Sequence, residues 1–502
     1  MRDHFAKAQF AQAADLYDAA VAQGAKPSYE DYLLRARILL KQDQNRAVAF
    51  LIRRPPKGRA SAQAGQWALL LGIGYARLRD FERADHHFAL ASRSLKSAAD
   101  RAQLAYQRAR RWMLEGRLDD AWRCADEMDR DRTAATKIAQ EMLRSFIFCH
   151  EERYLESARS LLRAIDLIGP RRERHLEEWF HAVQNLALLG RELSFEEAAA
   201  VARREIDRPI EWPNDFRVQR FQALKAVGWS CALRGDILGC FRYLRAAEQS
   251  VPSAAFKTIL LLDRSYFARI VGEPNWALDE ITKAEAIAES VDWSVLPGEE
   301  RVGLLLLALA TSSLDAERGR YYLARYKALD KIRSPLLLFA FDRRMEAMAA
   351  YTEGVVRLNA GDRGAEEALR IAWGTFDRIG YDWRAALAAM RLFEVTKKDR
   401  WRHLAEDKLE AYPQSWLVTL LRDYAAPAAQ PAVTLPRMQR KVFTMLCAKM
   451  TTAEIAAELG LSQHTIRNHL KAVFRAYGVN NRAALVAEAA ARGDLPNVGT
   501  AS

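Results

Sequence analysis

From Asp3 to Tyr424 the apolar residues recur at the three-and-four spacing of an amphipathic helix, and the alternation of a half-buried strand is missing. Short polar breaks interrupt the pattern at Arg79-Asp80, Glu115-Gly116, Gly235-Asp236 and Gly361-Asp362. Paired helices joined by tight turns produce such a pattern. A small residue followed four positions later by a larger apolar one also recurs, as Ala47 with Leu51, Ala84 with Phe88 and Ala158 with Leu162. Ala47, Ala84, Ala121 and Ala158 stand 37 residues apart, Cys240 and Ala277 repeat that interval, and Ala14 precedes Ala47 by 33. The small residue lets two helices approach closely, and the larger one fills the groove between neighbouring units. The expected fold class is all-α, with a solenoid of helical hairpins over residues 3–424.

The best-defined unit reads Leu71, Gly72, Tyr75, Ala84, Phe88 and Ala91. In order and spacing it resembles a tetratricopeptide repeat. Other units are degraded: around Gly228 the alanine position is Cys240 and the tyrosine position is Cys231. Intervals of 37, 40 and 42 exceed the 34 of that family, so turns or helices are longer here. Between Gly303 and Ile379 helices are legible but unit boundaries are not. The resemblance implies a concave face that binds something. Two tryptophan-bearing segments, Trp212-Pro213 and Trp293 to Pro297, fall in expected loops, where packing of the turn is the simpler reading and ligand contact the alternative.

After Tyr424 the texture changes. Residues 425–433, beginning Ala425-Ala426-Pro427-Ala428, are rich in Ala and Pro, lack a packing face, and read as a semi-extended linker. Four helices are expected in residues 434–496. The first covers about Arg437 to Lys449, with Val442, Phe443, Leu446 and Met450 on its core face. Thr451 caps the second, with Glu454 completing a capping box, and Gly460 ends it. Ser462 caps the third, which turns Ile466, Leu470, Val473 and Phe474 inward and stops at Gly478. The fourth starts near Asn481 and ends before Gly493. The tight link Gly460-Leu461-Ser462 is helix-turn-helix geometry. The third helix leaves Gln463, His464, Arg467, Asn468, Lys471 and Arg475 outward, and Arg, Lys and Asn are the side chains that read guanine and adenine edges.

This stretch resembles the LuxR-type helix-turn-helix domain. The matching residues are Glu454-Ile455-Ala456, Leu459-Gly460-Leu461-Ser462, Thr465-Ile466-Arg467-Asn468-His469 and Gly478-Val479-Asn480-Asn481-Arg482-Ala483, in gapless register from Leu435 to Leu495. The resemblance places Arg467, Asn468 and Lys471 at base-facing positions and Thr465 and Arg475 against phosphates. It also implies a homodimer through the helix Arg482 to Arg492 and RNA polymerase as a further partner, while the cysteine usage fits a cytoplasmic location. The chain departs from the family at Pro436-Arg437-Met438-Gln439-Arg440-Lys441, where the family usually has Thr-x-Arg-Glu-x-Glu, so an internal acid–Arg contact is expected to be lost. Lys449 also replaces a usual Gly, where a positive φ would strain it.

Composition sharpens this reading. The 502 residues carry 76 Lys plus Arg against 64 Asp plus Glu, a net of +12. From Leu435 to Arg492 nine basic residues face three acids, so 9 − 3 = +6, half the excess in about an eighth of the length. That concentration fits double-stranded DNA as partner. Five cysteines, none in CxxC spacing, argue against a disulfide framework or zinc site and fit a reducing compartment. The start of the chain has no apolar signal-peptide core, and the longest apolar run, Val302 to Ala310, is too short to span a bilayer.

No GxxxxGK[ST] loop or HExxH occurs, Gly72 and Gly74 belong to a helical segment rather than a dinucleotide fingerprint, and His86-His87 and His175/His181 miss the spacing of a metal pair on one face. Neither an enzyme nor a bound cofactor or metal is expected. The sequence thus predicts a sequence-specific transcription regulator whose repeat array senses a protein, peptide or small molecule. The alternative is an interaction scaffold whose basic domain binds DNA weakly or without sequence preference.

Overall fold

The computed structural model describes residues 1–56, 61–130, 133–296, 298–329, 341–425, 433, 435–448, 450–479 and 481–491. Among the described residues every regular element is a helix, and no strand occurs. The chain divides into two compact units, Met1–Leu421 and Arg422–Ser502.

The first unit is a succession of antiparallel helix pairs. The pair Ala62–Arg77 and Phe81–Ser94 is the unit legible in the sequence, and Ala98–Leu114 with Leu118–Glu127, Ala134–His150 with Tyr154–Ile168, Arg217–Leu233 with Ile237–Glu248, and Ala254–Ile270 with Pro274–Ala288 repeat it. Helix pairs continue through Gly298–Ser312 with Ala316–Lys327, Phe341–Asn359 with Ala365–Arg378, and Asp382–Thr396 with Asp399–Leu409. The unit is a tetratricopeptide-like solenoid. The 37-residue interval has a direct structural cause: Ala47, Ala84, Ala121, Ala158, Cys240 and Ala277 all sit fully buried on the second helix of their pairs. Gly72 shows why a small residue is needed on the first helix as well. A Cβ there would stand 2.6 Å from the Phe88 ring.

One turn recurs between paired helices. Arg79, Gly116, Glu152, Gly235, Gly272 and Gly361 take positive φ. The next residue's amide then bonds back five positions, as Asp80 N to Tyr75 O (2.9 Å), Arg117 N to Trp112 O (3.0 Å), Asp236 N to Cys231 O (2.9 Å) and Glu273 N to Ala268 O (2.9 Å). This closes the end of the first helix, and Asp80 and Asp236 then cap the second with their carboxylates. Longer intervals arise where 3-10 turns intervene between pairs, at Gly169–Arg174 and Asn214–Phe216.

Both tryptophan segments pack as turns. Trp212 is buried against Trp179 and Phe180, at ring separations of 5.6 and 4.6 Å. Trp293 is buried, donates to Ala288 O at 3.0 Å, and occupies the space a Cβ on Gly303 would fill. Pro297 lies outside the described residues.

The solenoid also bonds to itself across long stretches of chain. Glu192 receives both Arg384 nitrogens at 2.6 and 3.0 Å. Trp229 stacks on Trp383 at 5.5 Å, and Trp416 donates to the Tyr266 hydroxyl at 3.3 Å. Near the start, Lys41 pairs with Glu177, and the Phe10 ring lies 5.8 Å from Phe216. No helix among the described residues is long and apolar enough to cross a membrane.

Candidate DNA-binding surface

The second unit folds around Leu435, Val442, Phe443, Leu446, Ile455, Ile466, Leu470, Val473, Tyr477 and Leu485, all buried. Its helices are Arg437–Cys447, Thr452–Leu459, Gln463–Tyr477 and Arg482–Ala491. The first stacks on the third through the rings of Phe443 and Tyr477, 5.3 Å apart. Met450 and Phe474 are half-buried at the edge of this core.

Local chemistry fixes the turn. The Thr451 hydroxyl accepts from Glu454 N at 3.3 Å, while the Glu454 carboxylate accepts from Thr451 N at 2.6 Å. The Thr451 N–H on the carboxylate, reinforced by the Thr451 side chain, holds the Glu454 carboxyl below the usual range. Gly460 takes φ +62°, Leu461 N bonds to Ala456 O at 3.0 Å, and the Ser462 hydroxyl accepts from Thr465 N at 3.1 Å to start the third helix. At the far end Gly478 takes φ +70° and Val479 N returns to Phe474 O at 2.9 Å. Asn481 starts the last helix by accepting from Ala484 N at 2.8 Å.

With Ile466, Leu470, Val473 and Tyr477 facing the core, the other side of the third helix is free. Gln463, His464, Arg467, Asn468, Lys471 and Arg475 are exposed. Thr465 is half-buried, its hydroxyl 2.8 Å from that of Ser462. At 1.5 Å per residue, Lys471 and Arg475 lie about 6 and 12 Å along the axis from Arg467. The row therefore matches the roughly 12 Å width of a major groove. Arg467, Lys471 and Arg475 form no ion pair among the described residues, so three cations stand on one face with no carboxylate committed to them. Arg437, Arg440 and Lys441 on the first helix are also exposed.

Residues 433–489 match the family model of the bacterial regulatory proteins, luxR family. The spore germination protein GerE of Bacillus subtilis (strain 168) is 39% identical over 61 residues, which are 12% of this chain and 82% of that protein. The chain belongs to the luxR family of bacterial regulatory proteins. This LuxR-family domain makes it a DNA-binding transcription regulator. The crystal structure of the APC/C hetero-tetramer Cut9–Hcn1 aligns over 95% of this chain and 94% of that one, at 15% identity and a TM-score of 0.28, a similarity too low to transfer any property.

Arg482 has a role that the sequence did not disclose. Its guanidinium donates to Leu446 O at 2.5 Å and Met450 O at 3.2 Å. It thereby bonds carbonyls near the end of the LuxR-type domain's first helix, adding to the cap backbone N–H that also reaches Leu446 O. The chemical signal was present, since an arginine can bond terminal carbonyls as well as a carboxylate. Lys449, Arg492 and linker residues 426–432 lie outside the described residues.

Proposed function

We propose that the chain is a one-component, sequence-specific transcription regulator of the cytoplasm, in which the repeat array (3–424) senses a signal and the C-terminal domain (434–496), joined by linker 425–433, reads duplex DNA. The observation that carries the reading is the unpaired row on the third helix. Arg467, Asn468 and Lys471 are assigned to base edges and Arg475 and Thr465 to phosphates, following the rule that base contacts specify and phosphate contacts position. Dimerisation through Arg482 to Arg492 and contact with RNA polymerase complete the proposal.

Sensing by the array rests on its architecture. A solenoid holds its core between neighbouring units and leaves an extended face for a ligand. The departure at Met438 to Lys441 does not reach the third helix, which favours retained DNA reading over the scaffold alternative. Selection of duplexes from a random pool by the full chain tests the proposal. Enrichment of one motif, protected over a defined footprint, is the expected result. Binding that fades steeply with salt and enriches nothing would assign the scaffold role instead.

A further inference from the structure

The outward row of the helix Gln463–Tyr477 begins one turn before Arg467 and Asn468, at His464. This residue is the second of the helix and is exposed. At about 100° per residue, Asn468, Lys471 and Arg475 lie within about 40° of it around the axis, and Arg467 within about 60°. His464 therefore stands in the middle of the stripe. Along the axis it precedes Arg467 by about 4.5 Å and Asn468 by about 6 Å. That is the N-terminal end, which a helix-turn-helix reader presents to base edges. His469, on the same helix, is turned about 140° from His464 and is half-buried, so the helix offers one histidine to a groove.

The fold gives this histidine no task. Among the described residues its imidazole makes no hydrogen bond or ion pair, and the helix, QHTIRNHLKAVFRAY, contains no acid to hold it. Helix propensity does not account for it either, because histidine is a poorer helix former than alanine. The turn that carries it is fixed. The Ser462 hydroxyl accepts from Thr465 N at 3.1 Å and lies 2.8 Å from the Thr465 hydroxyl. A short side chain on a fixed turn loses less freedom on contact than the long chains of Arg467 and Lys471. An imidazole has one ring N–H to donate when neutral and two when protonated. In the major groove guanine presents two neighbouring acceptors, N7 and O6, and no donor.

We propose that His464 is a further specificity-determining residue: its ring N–H donates to N7 or O6 of a guanine at a base pair adjoining those read by Arg467 and Asn468. The inference deepens the assignment of this helix as the DNA reader and rests on it, by naming one more reading residue and the base it selects.

Duplexes selected from a random pool by the full chain and by its His464→Ala and Arg467→Ala variants test it. The wild-type motif contains a guanine that His464→Ala no longer selects, while the positions relaxed by Arg467→Ala are kept. On the wild-type duplex, exchanging that G·C pair for each of the other three weakens the wild-type chain by about tenfold and changes binding by His464→Ala by less than about twofold. Alanine at this exposed position does not weaken the helix, so a loss is not one of folding. A His464→Ala motif identical to the wild-type one overturns the proposal. Equal weakening of His464→Ala on selected and scrambled duplexes also overturns it, by making His464 a phosphate contact. A wild-type chain that enriches no motif overturns the assignment of the helix itself, and this inference with it. Which chain lacks the preference therefore tells the two failures apart.

Discussion

Two helical glycines in the array give opposite predictions for the same substitution. Gly190 lies in Leu176–Glu192, where a Cβ would stand 2.8 Å from Ala199 N, 2.9 Å from Ala199 Cα and 3.1 Å from Ala198 C. The obstacle is backbone, which cannot rotate aside. Gly374 lies in Ala365–Arg378, and nothing stands within 4 Å of its would-be Cβ. Replacing glycine by alanine in a helix interior stabilises by about 0.5–1 kcal/mol at either site. At Gly190 the helix backbones must also move apart, an overpacking cost of about 1–3 kcal/mol. The propensity gain cancels between the sites, so Gly374→Ala should exceed Gly190→Ala in stability by about 1–3 kcal/mol. A solenoid can open unit by unit, so a global melt averages the effect. Hydrogen exchange read on peptides from Leu176–Ile206 and Ala365–Arg378 reports each site locally. Slower exchange around Gly374→Ala and faster exchange around Gly190→Ala are expected. Protection at Gly190→Ala equal to or above wild type would refute the close crossing and the unit geometry built on it.

Glu192 is 1% exposed, and although burial opposes its charge, the Arg191 and Arg384 guanidiniums outweigh that and hold the carboxyl well below the usual range. Glu192→Gln should cost about 3–5 kcal/mol by stranding buried arginines. Because the folded value is depressed, that contribution is present above about pH 4.3 and fades below it, so urea midpoints of variant and wild type should converge in acid. Burial lowers both His87 and His181 to about 4 from 6.5. The unfolded chain therefore takes up protons first, and stability should decline as pH falls from 6.5 towards 4; a flat series of thermal melts across that window would contradict this. Arg482→Ala should remove the donor to the Met450 carbonyl and leave the Leu446 carbonyl with its cap N–H alone, destabilising the C-terminal domain by about 1 kcal/mol, seen as faster hydrogen exchange in peptides from Arg437–Cys447.

Much of this was legible in the chain because the signals were local. The 37-residue recurrence is the burial of one small residue per unit, and Gly460, Ser462 and Gly478 announce their turn and caps through backbone chemistry that each residue carries alone. Pairing between remote positions was not legible. Glu192 and Arg384 are 192 residues apart, and Trp229, Trp383 and Trp416 meet only because the solenoid winds back on itself. Packing of the turns at Trp212 and Trp293 was expected, but periodicity does not show which helix a turn folds back upon, here Leu176–Glu192 for Trp212. Arg482's bonds to the Leu446 and Met450 carbonyls were missed because main-chain acceptors are the same at every position and only the fold brings a given pair together.

The central claim is that the helix Gln463–Tyr477 reads DNA sequence, and Arg467 is its most direct test. Binding isotherms of the full chain, measured on a selected duplex and on a scrambled one across salt concentrations, separate reading from attraction. Arg467→Ala should weaken the selected duplex by about 1–3 kcal/mol and leave the scrambled one little changed. Arg475→Ala should weaken both alike and reduce the salt slope by about one. Equal loss on both duplexes for Arg467→Ala would make Arg467 a phosphate contact only, and unchanged binding in both variants would contradict the assignment of this helix as the reader.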